Sequence, residues 1–347
     1  MNELKVAVLG ASGMVGQRFC EMLSSHPYFT VGGLYASEKS GGRKLRDALL
    51  LPEPRIDDEL AEMEMQPLNV AEIVNEQYDA IFSALPTSIA GPVEEELRSA
   101  GGAVFTNASP HRMEKDVPLV VPEVNCEHLL NVHRPGFIVA NGNCSAIGLA
   151  LTLKPLLPLG LKHVEVTTLQ ALSGAGYPGV ASLDAVGNVI PHIQSEEEKL
   201  AAEIPKMLGA FMGDSYTPHP VSVDATCTRV PVRDGHLESV CVEVEKGTDL
   251  EEVRSLFSSF RSQPQELGLP SAPSKPVIVA EGMNRPQPLL DVYNGTPERA
   301  RGMAATVGRI RVSGRLIRYV ALTHNTIRGA AGGSVLNAEF MFRRGFL

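Results

Sequence analysis

The chain has 347 residues, none of them in an apolar run approaching the ~20 residues a bilayer span requires. Its opening, MNELKVAVLG, enters a strand-like segment at once and shows no basic stretch, apolar core and small-residue cleavage site of a leader. An excess of cations is also absent. The net charge is −9, so no nucleic-acid partner is expected, because an acidic surface repels phosphate backbones. There is no C-x-x-C and no H-E-x-x-H, which removes the common zinc sites. The five cysteines (Cys20, Cys126, Cys144, Cys227 and Cys241) are odd in number and scattered. That argues against a disulfide framework and for a reducing, cytoplasmic setting. Internal repeats and low-complexity tracts are missing as well. What remains is 44% hydrophobic and 20% charged, a globular composition long enough for two domains. A soluble enzyme with no membrane partner is expected.

Short apolar runs and helical periodicity alternate through the first half. Residues 4–9, 29–36, 79–85, 103–109 and 137–143 are expected strands, and Val15, Phe19 and Met22 recur at helical spacing after the first. A helix is expected around 93–100, past the turn at Pro86. Strands separated by helices predict a parallel, doubly wound α/β sheet. The pattern changes after about residue 158. Alternation over 162–172, 228–236, 237–245, 306–312 and 316–322 predicts a mixed or antiparallel sheet. Helices are expected near 195–208 and 249–260, and the C-terminal segment is helical in composition.

Gly10-Ala11-Ser12-Gly13-Met14-Val15-Gly16 stands between the first strand and the first helix. Glycine lets the chain turn tightly and lets backbone N–H groups approach a pyrophosphate, while the helix start adds partial positive charge. Spaced G-x-x-G-x-x-G after a first strand, Gly10, Ser12, Gly13, Met14, Val15 and Gly16 form a candidate dinucleotide loop. The alternative is a tight turn without a ligand. The second strand is followed by Ser37-Glu38-Lys39-Ser40-Gly41-Gly42-Arg43-Lys44. The hydroxyls of Ser37 and Ser40 and the cations Lys39, Arg43 and Lys44 suit a 2′-phosphate, so NADP is favoured over NAD. Glu38 is a counter-signal, and a solvated basic loop is the plainer possibility.

Asn141-Gly142-Asn143-Cys144-Ser145 follows a strand and opens a helix expected to reach about Leu156. A cysteine in a first helical turn sits at the positive end of the dipole, which favours the thiolate and suits an acyl-accepting nucleophile. Cys20 is expected to be core. Of nine histidines, His236 stands out after Arg229-Val230-Pro231-Val232-Arg233-Asp234-Gly235, where a turn would place its ring to exchange protons near neutrality. His111 and His324 are rivals.

Six segments in order (GASGMVGQRF, TNASPHRMEKDVPLVVPEVN, NGNCSAIG, LQALSGAGYPG, TRVPVRDGH and NTIRGAAGGSVLNAE) resemble the aspartate-β-semialdehyde dehydrogenases of archaea and fungi, over residues 4 to about 340. The resemblance implies a Rossmann-type α/β domain over 1–143, completed by a helix within 330–347. It also implies an α+β catalytic and dimerisation domain over 144–329. The implied reaction is reductive dephosphorylation of L-aspartyl-β-phosphate with NADPH, releasing inorganic phosphate, in a homodimer or homotetramer. By match, Cys144 is the nucleophile and His236 the acid/base. Arg229 takes the substrate carboxylate and Arg112 the phosphate. Glu196 and Lys199 carry the family's E-x-x-K spacing, with Glu197 and Glu198 leaving the register open and an exposed helical turn as the alternative. Asn143 and Gln170 line the substrate pocket. Ser173, Gly174, Gly176, Asn325 and Gly332 match positions beside the pocket or the nicotinamide. Gly142 departs from the family's usual proline, and Ser109-Pro110-His111 is also unusual. Malonyl- or succinyl-CoA reductases, N-acetylglutamyl-phosphate reductase and a non-catalytic NADP sensor are the alternatives.

Overall fold

A computed structural model describes residues 3–212 and 215–347. The chain divides into two units. One comprises Met1–Val120, Cys126–Asn141 and Ala330–Leu347, and the other Val121–Asn125 and Gly142–Gly329. No helix among the described residues is long and apolar enough to cross a membrane.

The first unit is a six-stranded parallel sheet of β1 (Leu4–Leu9), β2 (Phe29–Ala36), β3 (Gln66–Pro67), β4 (Ala80–Ser83), β5 (Ala103–Thr106) and β6 (Phe137–Ala140). Its order is β3-β2-β1-β4-β5-β6, so all strands run parallel and the direction in which strands are added reverses between β1 and β4. The central strands read as continuous apolar runs because helices cover both faces. Helix α1 (Met14–Leu23) lays Phe19 against Phe82 of β4 at a ring separation of 5.2 Å. Cys20 is buried there, and burial pushes its thiol up to about 12, the state of an inert core residue. Helix α2 (Thr87–Ser99) begins earlier than the apolar pattern suggests, because Thr87, Ser88 and Ile89 of its first turn are exposed. β3 has two residues, too few to show a period. The C-terminal helix (Gly332–Arg343) is buried from Gly332 to Met341 and is pinned where His26 Nε2 meets Glu339 Oε1 at 2.9 Å.

The second unit holds a mixed sheet of β7 (Leu161–Gln170), β8 (Ser222–Arg229), β9 (His236–Val244), β10 (Val277–Val279), β11 (Ala305–Ser313) and β12 (Leu316–Thr323). Its order is β8-β7-β9-β12-β11-β10. β7, β8 and β9 bury alternate residues over most of their length, and Glu165, Thr167, Asp224, Ser239 and Glu243 lie on the open face. Helices α3 (Cys144–Leu153) and α4 (Glu196–Leu208) belong to the same unit. α3 stops short of Leu156 and continues as 3₁₀ turns over Lys154–Leu159, where Pro155 and Pro158 lack the N–H an α-helix needs. The expected strand over 228–236 is corrected in part. β8 ends at Arg229, and 230–235 forms a loop containing Pro231 and Gly235 at φ 99°. Alternation survived in the sequence because Val230 is still anchored by its N–H on the Gln170 carbonyl at 3.0 Å.

Candidate active site

The glycine loop of the first unit is shaped by backbone approach. Gly10 has φ 76°, and a Cβ there would lie 2.6 Å from the Ala84 carbonyl oxygen. A Cβ on Gly16 would lie 2.0 Å from the Gly10 oxygen, so α1 rests directly on the end of β1. Gly13 is the N-cap of α1 and supplies no side-chain cap, so the first-turn N–H groups of Met14, Val15 and Gly16 have no side-chain acceptor from that position. Gly13 is exposed and Ser12, Met14 and Val15 are half-exposed, leaving the loop open to a ligand. A pyrophosphate fits this arrangement.

After β2 the Ser37 carbonyl accepts from the N–H groups of Ser40 and Gly41 at 2.8 and 3.0 Å, forming a tight turn. Ser37, Arg43 and Lys44 are exposed and Ser40 is half-exposed. Lys44 is engaged by Glu62 at 2.6 Å, which also holds Arg46 at 2.7 Å. The hydrogen bond and charge of Glu62 raise the Lys44 pKa. Arg43 donates to the Asp47 carbonyl. Arg112 lies at the end of the same sheet and donates to the Asn107 carbonyl at 2.8 Å. His111 sits between two carboxyls, 2.9 Å from Glu114 and 3.4 Å from Glu94.

In the second unit the substrate-side candidates converge. Cys144 is the first residue of α3, and the N-cap Asn143 accepts from the N–H groups of Ser145 and Ala146 at 3.0 and 3.2 Å. Cys144 Sγ lies 3.1 Å from His236 Nε2. His236 is fully buried and opens β9. The Ala171 N–H donates to His236 Nδ1 at 3.1 Å. A nitrogen that accepts carries no proton, so the neutral ring holds its hydrogen on Nε2, aimed at the sulfur. Burial, with the nearby Arg229 charge, pushes His236 down to about 3 against a weaker pull from Glu196. The expectation that His236 titrates near neutrality is therefore corrected: the buried ring stays neutral.

Arg229 is buried and donates to the Ala171 carbonyl at 2.7 Å, which leaves other guanidinium N–H groups for a substrate anion. Of the three consecutive glutamates only Glu196 is buried. Its carboxylate accepts from Asn143 Nδ2 at 3.0 and 2.9 Å, from Gln170 Nε2 at 3.2 Å and from Lys199 Nζ at 3.0 Å. Desolvation raises its pKa, but the Asn143 hydrogen bonds and the Lys199 charge outweigh that and leave it below the usual value. Glu197 instead accepts from the Cys227 N–H, and Glu198 is exposed. A Cβ on Gly174 would lie 2.8 Å from Arg229 Nη1 and 3.0 Å from His236 Cε1, so glycine keeps the space above both open. Asn325 accepts from the Gly235 N–H and donates to Ser173 Oγ, both at 2.8 Å, tying the turn before His236 to the 173–176 loop. Gly176, at φ 72°, faces open space. His324 packs edge-on to Tyr293 at 4.9 Å. Gly332 is buried and belongs to the first unit.

Three features were missed from the sequence. Glu203 accepts from the Asn143 N–H. Gly329 lies so near the nucleophile that a Cβ there would be 2.9 Å from Cys144 Cβ. Arg328, next to it, makes a fully buried bidentate pair with Glu123 at 3.1 and 2.7 Å. The segment NTIRGAAGG contained the last two, but nothing local ties Arg328 to an acid 205 positions away.

Comparison with known proteins agrees with this geometry. Residues 5–132 match the semialdehyde dehydrogenase NAD-binding domain and residues 153–328 its dimerisation domain. An aspartate-semialdehyde dehydrogenase of Archaeoglobus fulgidus is 47% identical over 97% of this chain and 98% of its own. A malonyl-CoA reductase (NADP) of Metallosphaera sedula is 38% identical over 99% and 98%. The crystal structure of aspartate semialdehyde dehydrogenase with NADP from Candida albicans superposes with a TM-score of 0.87 at 36% identity, covering 100% of both chains. On this match across both units, the chain belongs to the aspartate-semialdehyde dehydrogenase family.

Proposed function

We propose that this chain reduces L-aspartyl-β-phosphate to L-aspartate β-semialdehyde with NADPH, through a thioester on Cys144. The observation that carries this reading is the 3.1 Å contact of Sγ with a neutral Nε2–H at a helix start, flanked by a buried arginine and a buried acid. Arg229 suits the α-carboxylate of an amino acid, and Glu196 its α-ammonium. Gln170 and Lys199 hold the Glu196 carboxylate in place.

Cys144 Sγ attacks the acyl carbon, the C–O bond to phosphate breaks, and the thiol proton leaves with inorganic phosphate. Nε2–H of His236 donates to the sulfur and then to the oxygen of the tetrahedral adduct, which lowers the energy of that oxyanion. Bound NADPH supplies the hydride that reduces the thioester. Collapse of the adduct breaks the C–S bond and frees the aldehyde and the Cys144 thiolate, which takes up a proton from solvent to return the thiol. Arg112 is assigned to the substrate phosphate. The open glycine loop supports the pyrophosphate, and Ser37, Ser40 and Arg43 the 2′-phosphate.

The chain is a homo-oligomer, and we infer a dimer or tetramer formed through the open face of the second sheet. Among the described residues no disulfide joins the five cysteines, which supports a cytoplasmic location. A malonyl-CoA substrate, as in the name of the Metallosphaera relative, has no α-ammonium to meet Glu196. The deciding assay runs phosphate-dependent NADP reduction with aspartate semialdehyde beside malonyl-CoA-dependent NADPH oxidation. Activity in the second alone overturns the proposal.

A further inference from the structure

Asn143, the residue before the nucleophile, is held at each of its N–H groups and at its side-chain oxygen. Its Oδ1 caps α3 and its Nδ2 donates to Glu196. Its backbone N–H donates to Glu203 Oε2 at 2.6 Å. Glu203 lies on α4, two turns beyond Glu196 on the same face, and is 2% exposed. The mechanism above uses Glu196 and leaves Glu203 without a task. Burying a carboxyl is costly unless it is well partnered, so its place beside this particular N–H calls for a reason.

Gly142 supplies one. A Cβ there would lie 3.3 Å from Glu203 Oε2, 3.2 Å from Ile147 Cγ1 and 3.3 Å from Met207 Sδ, tighter than ordinary packing. Glycine makes room for the carboxyl to reach the backbone, and it also leaves the turn flexible if nothing braces it. We propose that Glu203 is a positioning residue for the nucleophile: its carboxyl braces the Asn143 N–H and fixes the turn that sets Cys144 at the start of α3. Activation of the thiol is not its role. A negative charge near a helix start opposes a thiolate there, so the contribution is geometric. One helix thus grips one residue twice, with Glu196 on the side chain and Glu203 on the main chain.

The proposal rests on Cys144 being the nucleophile, which the separate Cys144→Ala variant tests. The test here uses the full chain with NADP and compares Glu203→Leu, Glu203→Gln and Gly142→Ala. Glu203→Leu removes the acceptor and is expected to lower kcat about tenfold or more with the KM for NADP within about twofold. Glu203→Gln keeps an acceptor oxygen and is expected to recover most of that loss. Gly142→Ala crowds the carboxyl and falls between them. Iodoacetamide labelling of the Cys144 peptide is expected to change rate in the same order. A folded Glu203→Leu variant with parental kcat and labelling overturns the proposal, as does Glu203→Gln falling as far as Glu203→Leu. If the Leu variant does not fold, parental kcat and labelling in Gly142→Ala overturn it. An active Cys144→Ala enzyme overturns the nucleophile assignment instead, whatever the Glu203 variants do.

Discussion

The glycine loop of the first unit and the thiol turn of the second both sit where a strand gives way to a helix, yet they are built differently. In the glycine loop side chains are missing at three positions: Gly10 and Gly16 leave no room for a Cβ beside neighbouring backbone, and Gly13 gives the helix start no side-chain cap. In the thiol turn the donors of Asn143 are all committed. Asn143 is tied to α3 and to two acids of α4, and the His236 tautomer is set by a main-chain N–H from the 171 position. A bare helix start receives an anionic ligand; a saturated one holds a single reacting atom still. Mutations that act on one region should spare the other.

The largest expected effect is Cys144→Ala. Removing the nucleophile should cost at least about 10³-fold in kcat, several kcat-limiting kcal/mol of barrier. NADP affinity, measured by fluorescence titration, should stay at the parental value because the glycine loop is untouched. Loss of both together would show that the two regions are not separable.

Next comes His236→Asn, expected to lower kcat about 10²-fold with little change in substrate KM. The pH behaviour is the sharper observable. With the folded-state value near 3 and the unfolded value about 6.5, only the unfolded chain binds the extra proton between those limits. The parent should therefore lose stability as pH falls from 6.5 toward 3, and the Asn variant should lose less. Its kcat/KM profile should show no limb near 6.5 that His236→Asn abolishes. Finding such a limb would restore a titrating acid/base and contradict the Ala171 hydrogen bond.

These two cases show what was legible. The glycine spacing, the helix-start cysteine and the alternation of β7 and β9 are local patterns, and the placement of each was visible in the sequence. The partners of those groups are not local. Glu203 lies 60 positions from Asn143 and Ala171 lies 65 from His236, and no periodicity links such pairs. The Glu196 register was open for a related reason. Three adjacent glutamates look alike until the first turn of α4 faces one of them inward. Even the overextended strand at 228–236 fits, since an anchored extended loop keeps the alternation of a strand.

A moderate effect is expected from Gly16→Ala. Its Cβ would collide with the Gly10 carbonyl, and only a shift of α1 relieves that. NADP binding should weaken about tenfold or more and Tm should fall by several degrees. Labelling of Cys144 should be unchanged, which a thermal scan and the alkylation assay together check.

The smallest effect concerns the loop after β2, where three cations were expected to act alike. Lys44 is held by Glu62 at 2.6 Å, so part of its charge is already balanced before any phosphate arrives. Among the described residues Arg43 donates to a neutral carbonyl and meets no carboxylate, so its charge remains available. Both are exposed, where water and salt weaken each interaction. Arg43→Ala should therefore raise the KM for NADP a few-fold while leaving NAD unaffected. Lys44→Ala should do less, and Glu62→Gln, by releasing Lys44, should tighten NADP slightly. Steady-state titration with both cofactors at low salt separates these outcomes. Equal losses for NADP and NAD in Arg43→Ala would mean that this loop does not contact the 2′-phosphate, and the preference would then have to come from Ser37 and Ser40 in the turn itself.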